Sequence, residues 1–118
     1  MAGPVTSQTV RELALALPEA QEGPSYGTPA FRVRRKLFAR LLEDGESVVV
    51  KVDFGEREAL TAMQPETFVV TPHYRNYPMV IVRLATVDPD ELGELLTEAW
   101  RRAAPPRLLA AFDAAEGE

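Results

Sequence analysis

One segment near the C-terminal end restricts the architecture more than any other. Leu92, Leu95, Leu96, Ala99, Trp100 and Ala103 recur at helical spacing, so a helix there presents a single apolar stripe that another layer must cover. Its ends are clearly marked. Asp88 stands at the N-cap, Pro89 at the first helical position, and Glu91 three residues after the cap completes a capping-box pattern. Arg101 and Arg102 lie at the negative end of the helix dipole, and Pro105-Pro106 breaks the helix. Trp100, on the stripe, reads as core. The stretch from about 105 to 118, chiefly Arg107 to Ala115, reads as a short helical tail.

The rest of the chain supplies the covering layer. Thr6 and Ser7 are N-cap residues for a first helix whose Val10, Leu13 and Leu17, with Ala14 beside them, share one face; Pro18 ends it. Residues 22–29 hold Gly23, Pro24, Gly27 and Pro29, a pattern that predicts a turn-rich connector. Three strands are expected next. Ala30 to Arg34 sets Phe31 and Val33 against Arg32 and Arg34, Leu37 to Leu42 is mostly apolar, and Ser47 to Val52 sets Val48, Val50 and Val52 against Val49 and Lys51. Asp44-Gly45 marks the hairpin turn between the last two. A second helix is expected from about Gly55 to Met63, with Asp53 and Glu56 as its capping box and Pro65 closing it. Thr67 to Thr71 and Met79 to Ala85 read as two further strands around the loop 72–78.

The predicted order is helix, three strands, helix, two strands, helix. Strands that cluster in neighbouring pairs favour an α+β fold with a mainly antiparallel sheet packed by helices. With 118 residues, residues 1–118 form a single domain, and a chain of this size buries roughly two-thirds of its unfolded surface.

The chain has no cysteine and one histidine, His73. Disulfides, thiolate nucleophiles, Cys-ligated zinc and paired-histidine metal motifs are therefore excluded. No cofactor or metal is expected. Ser7, Ser25 and Ser47 stand in no nucleophile elbow, and no Gly-Lys-Ser/Thr follows Gly23 and Gly27. The pairs Glu43/Asp44 and Asp90/Glu91 are accounted for by a turn and a cap, so a non-enzymatic role is expected. The N-terminal residues lack the basic and apolar regions of a signal peptide, and no apolar run approaches the roughly 20 residues of a membrane helix. A cytoplasmic protein that does not engage a membrane is the expectation.

The net charge of −5, taken as a whole, argues against nucleic-acid binding. Its distribution argues the other way. Residues 23–42 hold Arg32, Arg34, Arg35, Lys36 and Arg40 with no acid, and residues 67–87 hold Arg75 and Arg83 with no acid. These windows carry +7 and the remainder carries −12, so strands and loops are basic while helices are acidic. A turn near Arg34 to Lys36 crowds up to four cations at a hairpin tip able to straddle phosphates; charged edge strands also serve simply to deter aggregation. The loop 72–78 holds His73, Tyr74, Arg75, Asn76 and Tyr77, stackers and donors suited to bases or sugar-phosphate. A proline-bracketed connection of this kind also covers a core edge with its tyrosines.

A string of residues runs through most of the chain: Leu17-Pro18-Glu19-Ala20, Tyr26-Gly27-Thr28-Pro29-Ala30-Phe31-Arg32-Val33, Lys36-Leu37-Phe38-Ala39, Val50-Lys51-Val52-Asp53, Val70-Thr71-Pro72-His73-Tyr74, and Val87 to Pro105 with Ala99-Trp100. In these residues the sequence resembles the MmcQ/YjbR family. The resemblance implies a small bacterial α+β domain of CyaY-like or secretion-chaperone-like fold, in the element order already read, and a DNA-binding role in a double-wing mode. Two positions depart from the pattern. Arg35 stands where members often carry glycine, and Tyr77-Pro78-Met79 replaces a His-Trp pair that some members show.

The leading expectation is a domain that meets duplex DNA weakly and salt-sensitively. Arg32, Arg34, Arg35, Lys36 and Arg40 would contact phosphate, supported by His73, Tyr74 and Arg75, and five such contacts give a salt slope of about −4.5. The alternative is a protein- or peptide-binding module that uses a sheet face or an open edge strand. A third reading, a small-ligand or enzyme site around Tyr26, His73 and Tyr74, requires a concave pocket joining them; otherwise Tyr26-Gly27-x-Pro29 is a structural corner in which Gly27 takes a positive φ. A monomer or weak dimer is expected.

Overall fold

Residues 4–117 are described by a computed structural model. The elements are α1 (Ser7–Leu15), β1 (Ala20–Ser25), β2 (Thr28–Val33), β3 (Lys36–Leu41), β4 (Ser47–Lys51), α2 (Phe54–Met63), β5 (Phe68–Val69), a 3-10 turn (Pro72–Tyr74), β6 (Met79–Arg83), α3 (Pro89–Ala103) and α4 (Pro106–Glu116). The strands form one sheet in the order β1-β2-β3-β4-β6-β5, every neighbouring pair antiparallel. The fold is α+β, as the clustering of strands predicts.

The stripe on α3 organises the core. All six of its apolar residues are buried, and α3 packs across β2, β3 and β4. The strand register sets Phe31, Ala39, Val50 and Val80 in a row beneath the helices, and that row is fully buried. Helix α1 adds Val10 and Ala14. The Trp100 indole N–H donates to the Pro18 carbonyl at 2.9 Å, and its ring lies 4.8 Å from that of Phe112. One side chain thus ties α3 both to the α1–β1 junction and to α4.

The caps form where the sequence places them, with one change. Asp88 and Asp53 accept from the N–H groups of Glu91 and Glu56. The two glutamate side chains are drawn to tertiary partners, however: Glu91 accepts from Gln64 and Glu56 from Arg102.

Two readings are corrected. Residues 20–25 form an edge strand and not an irregular connector, which makes four strands before α2. The geometry shows why a strand tolerates this composition. Tyr26-Gly27 is a two-residue turn, so Ser25 and Thr28 form a hydrogen-bonded pair and Pro24 faces Pro29 at a non-hydrogen-bonded position. The N–H that Pro24 lacks would have pointed off the sheet edge. In β3 the simple alternation is broken by a bulge. One step on β2, from Phe31 to Arg32, corresponds to two on β3, from Ala39 to Leu37. Phe38 is the extra residue, and both Phe38 and Ala39 are buried.

Candidate functional site

Alternation along the strands sends one set of side chains into the helices and the other to the opposite face. On that second face the register aligns Gly23, Ala30, Arg40, Val49, Ile81 and Val69 in one row across all six strands. Two residues further along their strands, Arg32, Lys51 and Arg83 fall on the same face. Every charged residue at a strand position of this face is therefore a cation. Glu22, the acid within β1, alternates to the helix side and pairs with Arg11 at 2.7 Å.

Above this face lies a cleft of about 700 Å³. Leu37, Leu42, Val49 and Met79 give it an apolar floor, and aromatic rings come from two walls: Tyr26 on one side, His73, Tyr74 and Tyr77 on the other. Arg40 joins the walls. Its Nε donates to the Ser25 carbonyl at 3.1 Å, Nη1 to the Tyr74 hydroxyl at 3.2 Å, and Nη2 to the Glu43 carboxylate at 2.8 Å. The guanidinium also lies 5.5 Å from the Tyr26 ring centroid. Arg40 is only 8% exposed, and a charge so placed must be paired. Its pairing pins three separate segments to one strand residue.

Tyr26 occupies the turn with φ 52 and is 93% exposed. A left-handed backbone costs a residue with a Cβ about 1–2 kcal/mol, and a ring this exposed regains almost nothing through burial. Strain of this kind concentrates at functional positions. Beside it, Gly27 has φ 84, the positive value the corner requires.

The second wall is held from behind by Arg57 of α2. Its guanidinium donates to the carbonyls of Tyr74 at 3.1 Å, Arg75 at 2.9 Å, Tyr77 at 2.8 Å and Met79 at 3.2 Å, and it lies 4.8 Å from the Phe54 ring centroid. Sequence reasoning missed Arg57. A lone arginine on a helix carries no local mark of carbonyls 17–22 residues away.

The residues singled out from the sequence separate into two groups. Arg40, His73 and Tyr74 meet at the cleft together with Tyr26, so the concave pocket that a small-ligand reading requires is present. Arg34 and Arg35 form the two-residue turn of the β2–β3 hairpin, with Lys36 next to them. They lie about 15 Å along the strand from Arg40. At that tip one of the crowded cations is paired within the chain. Glu19 engages Arg34 through two hydrogen bonds, and this hydrogen bonding holds the Glu19 carboxyl below its ordinary value and the Arg34 guanidinium above its own. Arg32 donates to the Pro24 carbonyl at 3.4 Å. Of the five hairpin cations, Arg32, Arg35 and Lys36 have no carboxylate partner among the described residues. Arg75, exposed, follows Tyr74 on the second wall.

Among the described residues, no group of three His, Asp or Glu side chains is placed to hold a metal. No helix among them is long and apolar enough to cross a membrane.

A six-stranded antiparallel sheet, helices packed on one face and a cleft on the other, defines a small α+β domain of the YjbR type. The YjbR family model matches residues 15–102, and the chain belongs to that family. It is 46% identical over 74 residues to uncharacterized proteins of Mycobacterium bovis and Mycobacterium tuberculosis. Each match covers 62% of this chain and spans 57% of the relative's length. The crystal structure of the Deinococcus radiodurans protein DR2400, of family-model domain DUF419, superposes with a TM-score of 0.73 at 25% identity, covering 83% of this chain and 78% of that one.

Proposed function

We propose that this domain binds DNA across the helix-free face of its sheet, with cations meeting the phosphate backbone. The observation that supports the reading most is the charge on that face. Arg32, Lys51 and Arg83 are the charged residues at its strand positions that have no carboxylate partner among the described residues. Arg40 is paired with Glu43, and the acid-rich α2 and α3 belong to the core side. Arg35 in the β2–β3 turn and Arg75 after the 3-10 turn add exposed cations beside it, and Lys36, exposed at the start of β3, adds charge to the hairpin tip. Phosphate attraction is sequence-independent and scales with the number of such contacts. In a double-wing arrangement the β2–β3 hairpin is one wing. Binding is weak and salt-sensitive, because only part of a net acidic molecule is attracted.

The role is one of binding without turnover, carried out in the cytoplasm by a monomer or weak dimer, since a single copy presents the whole face. A protein-binding role through strand addition finds less support. The β1 edge carries Pro24, and the opposite edge strand β5 has two residues, so neither edge offers a long row of free backbone groups.

Fluorescence anisotropy with a labelled duplex at 50 mM salt tests the reading. Binding is expected to weaken when Arg35 and Lys36 are both changed to alanine. Absence of binding, or the same affinity and salt slope in the double variant, overturns it.

A further inference from the structure

We infer that the cleft beneath Tyr26 receives an unpaired nucleobase, so that the preferred ligand of the basic face is a single strand. The inference rests on the DNA-binding reading and names the chemistry of its central site. Phosphate contact alone needs only cations. It makes no use of an apolar floor built from Leu37, Val49 and Met79, nor of a tyrosine ring held in solvent by a strained backbone.

Each of those features suits a base. A base offers a flat π-surface to aromatic side chains, and every base has one, so such stacking is tolerant of sequence. Tyr26, Tyr74 and Tyr77 supply rings on the two walls. In a duplex those π-surfaces are covered by neighbouring pairs, and a base reaches a side pocket only when it leaves the stack. The cleft, at about 700 Å³, falls within the range of small-ligand sites.

Polar groups at the floor match the edge of a base. Arg40 donates three hydrogen bonds within the protein, and a guanidinium carries five N–H groups, so its capacity to donate to a carbonyl oxygen of the base is not exhausted by the protein. The Glu43 carboxylate and the Ser25 hydroxyl line the same space and can accept from its amino or imino groups. Charge outside the cleft fits the rest of a nucleotide. Arg32 is the register partner of the lining residue Leu37, and Arg75 follows Tyr74. Arg32 also donates to the Pro24 carbonyl, two residues before Tyr26, so a cation stands near each wall along the path of the sugar-phosphate chain.

The test compares a labelled dT12 single strand with a 12-base-pair duplex, by anisotropy at 50 mM salt, for the unaltered chain, for Tyr26→Gly and for Tyr26→Phe. Glycine removes the ring while relieving the backbone, so folding is preserved, and phenylalanine keeps the stacking surface. The single strand is expected to bind about 10-fold more tightly than the duplex. Tyr26→Gly should weaken the single strand about 10-fold and leave the duplex unchanged, and Tyr26→Phe should match the unaltered chain. Equal affinity for the two DNAs, or no effect of Tyr26→Gly on dT12, overturns the base pocket while a loss in the Arg35/Lys36 double-alanine variant still upholds the basic face. Failure of both DNAs to bind overturns both.

Discussion

The guanidinium of Arg40 donates to the hydroxyl of Tyr74 at 3.2 Å, joining a strand residue to a loop 34 positions away. The same guanidinium holds the Ser25 carbonyl beneath the Tyr26 turn and the Glu43 carboxylate. The cleft is therefore shaped by one buried charge and by the segments that satisfy it.

Tyr74→Phe removes one hydrogen bond to a charged donor and should cost about 1.5 kcal/mol. Arg40→Ala strips the partners of three groups and should cost about 3 kcal/mol. Urea denaturation followed by circular dichroism measures both. If Arg40→Ala is no more destabilising than Tyr74→Phe, Arg40 does not hold the walls together.

Arg57 supports the second wall through four backbone carbonyls. Arg57→Ala should cost about 2 kcal/mol, the net worth of charged hydrogen bonds that water can partly replace. The change should also be local. The 72–79 backbone carbonyl resonances should shift and nearby amide exchange should accelerate, while the Trp100 indole N–H, bonded to Pro18 on the helix side, keeps its protection.

Arg35 sits at φ 73 in the β2–β3 turn, a backbone better suited to glycine. Arg35→Gly removes strain of about 1–2 kcal/mol, offset by the larger unfolded-state entropy of glycine, for a net gain of about 0.5–1 kcal/mol. Under the DNA-binding reading the same change removes one phosphate contact and flattens the duplex salt slope by about 0.9. Stability and affinity should thus move in opposite directions, as thermal melting and anisotropy on one variant would show.

Glu19 and Arg34 are paired beside that turn, and the hydrogen bond from Arg34 lowers the Glu19 pKa from its ordinary 4.5. A carboxyl with a depressed folded-state value contributes stability above its unfolded value and loses it as pH falls through the folded one. Arg34→Ala should return the Glu19 titration, followed by NMR, toward 4.5. Glu19→Gln frees Arg34 at neutral pH. It should tighten duplex binding and steepen its salt slope by up to about 0.9; unchanged affinity in Glu19→Gln would separate Arg34 from the DNA contact.

Helix α3 was legible because its information is local. Cap, proline, spacing and terminal cations all lie within residues 88–106, and the helix forms at Pro89–Ala103 with its whole stripe buried. The valines of β4 and the positive φ of Gly27 were legible for the same reason, as alternation and turn chemistry act within a few residues. Strand β1 was not, because Gly23 and Pro24 have poor strand propensity and are tolerated only through their place at the sheet edge. The bulge at Phe38 likewise follows from how β3 meets β2.

By itself, the sequence determined the α+β class, the principal helix and the segregation of basic from acidic segments, each of which depends on near neighbours along the chain. Tertiary structure alone decided which cations are free. It paired Arg34 with Glu19, 15 residues away, buried Arg40 between Ser25, Tyr74 and Glu43, and recruited Arg57 to hold the loop beside Tyr77. Charge is additive along a sequence, but its availability to a ligand depends on partners that only the folded chain brings within hydrogen-bonding reach.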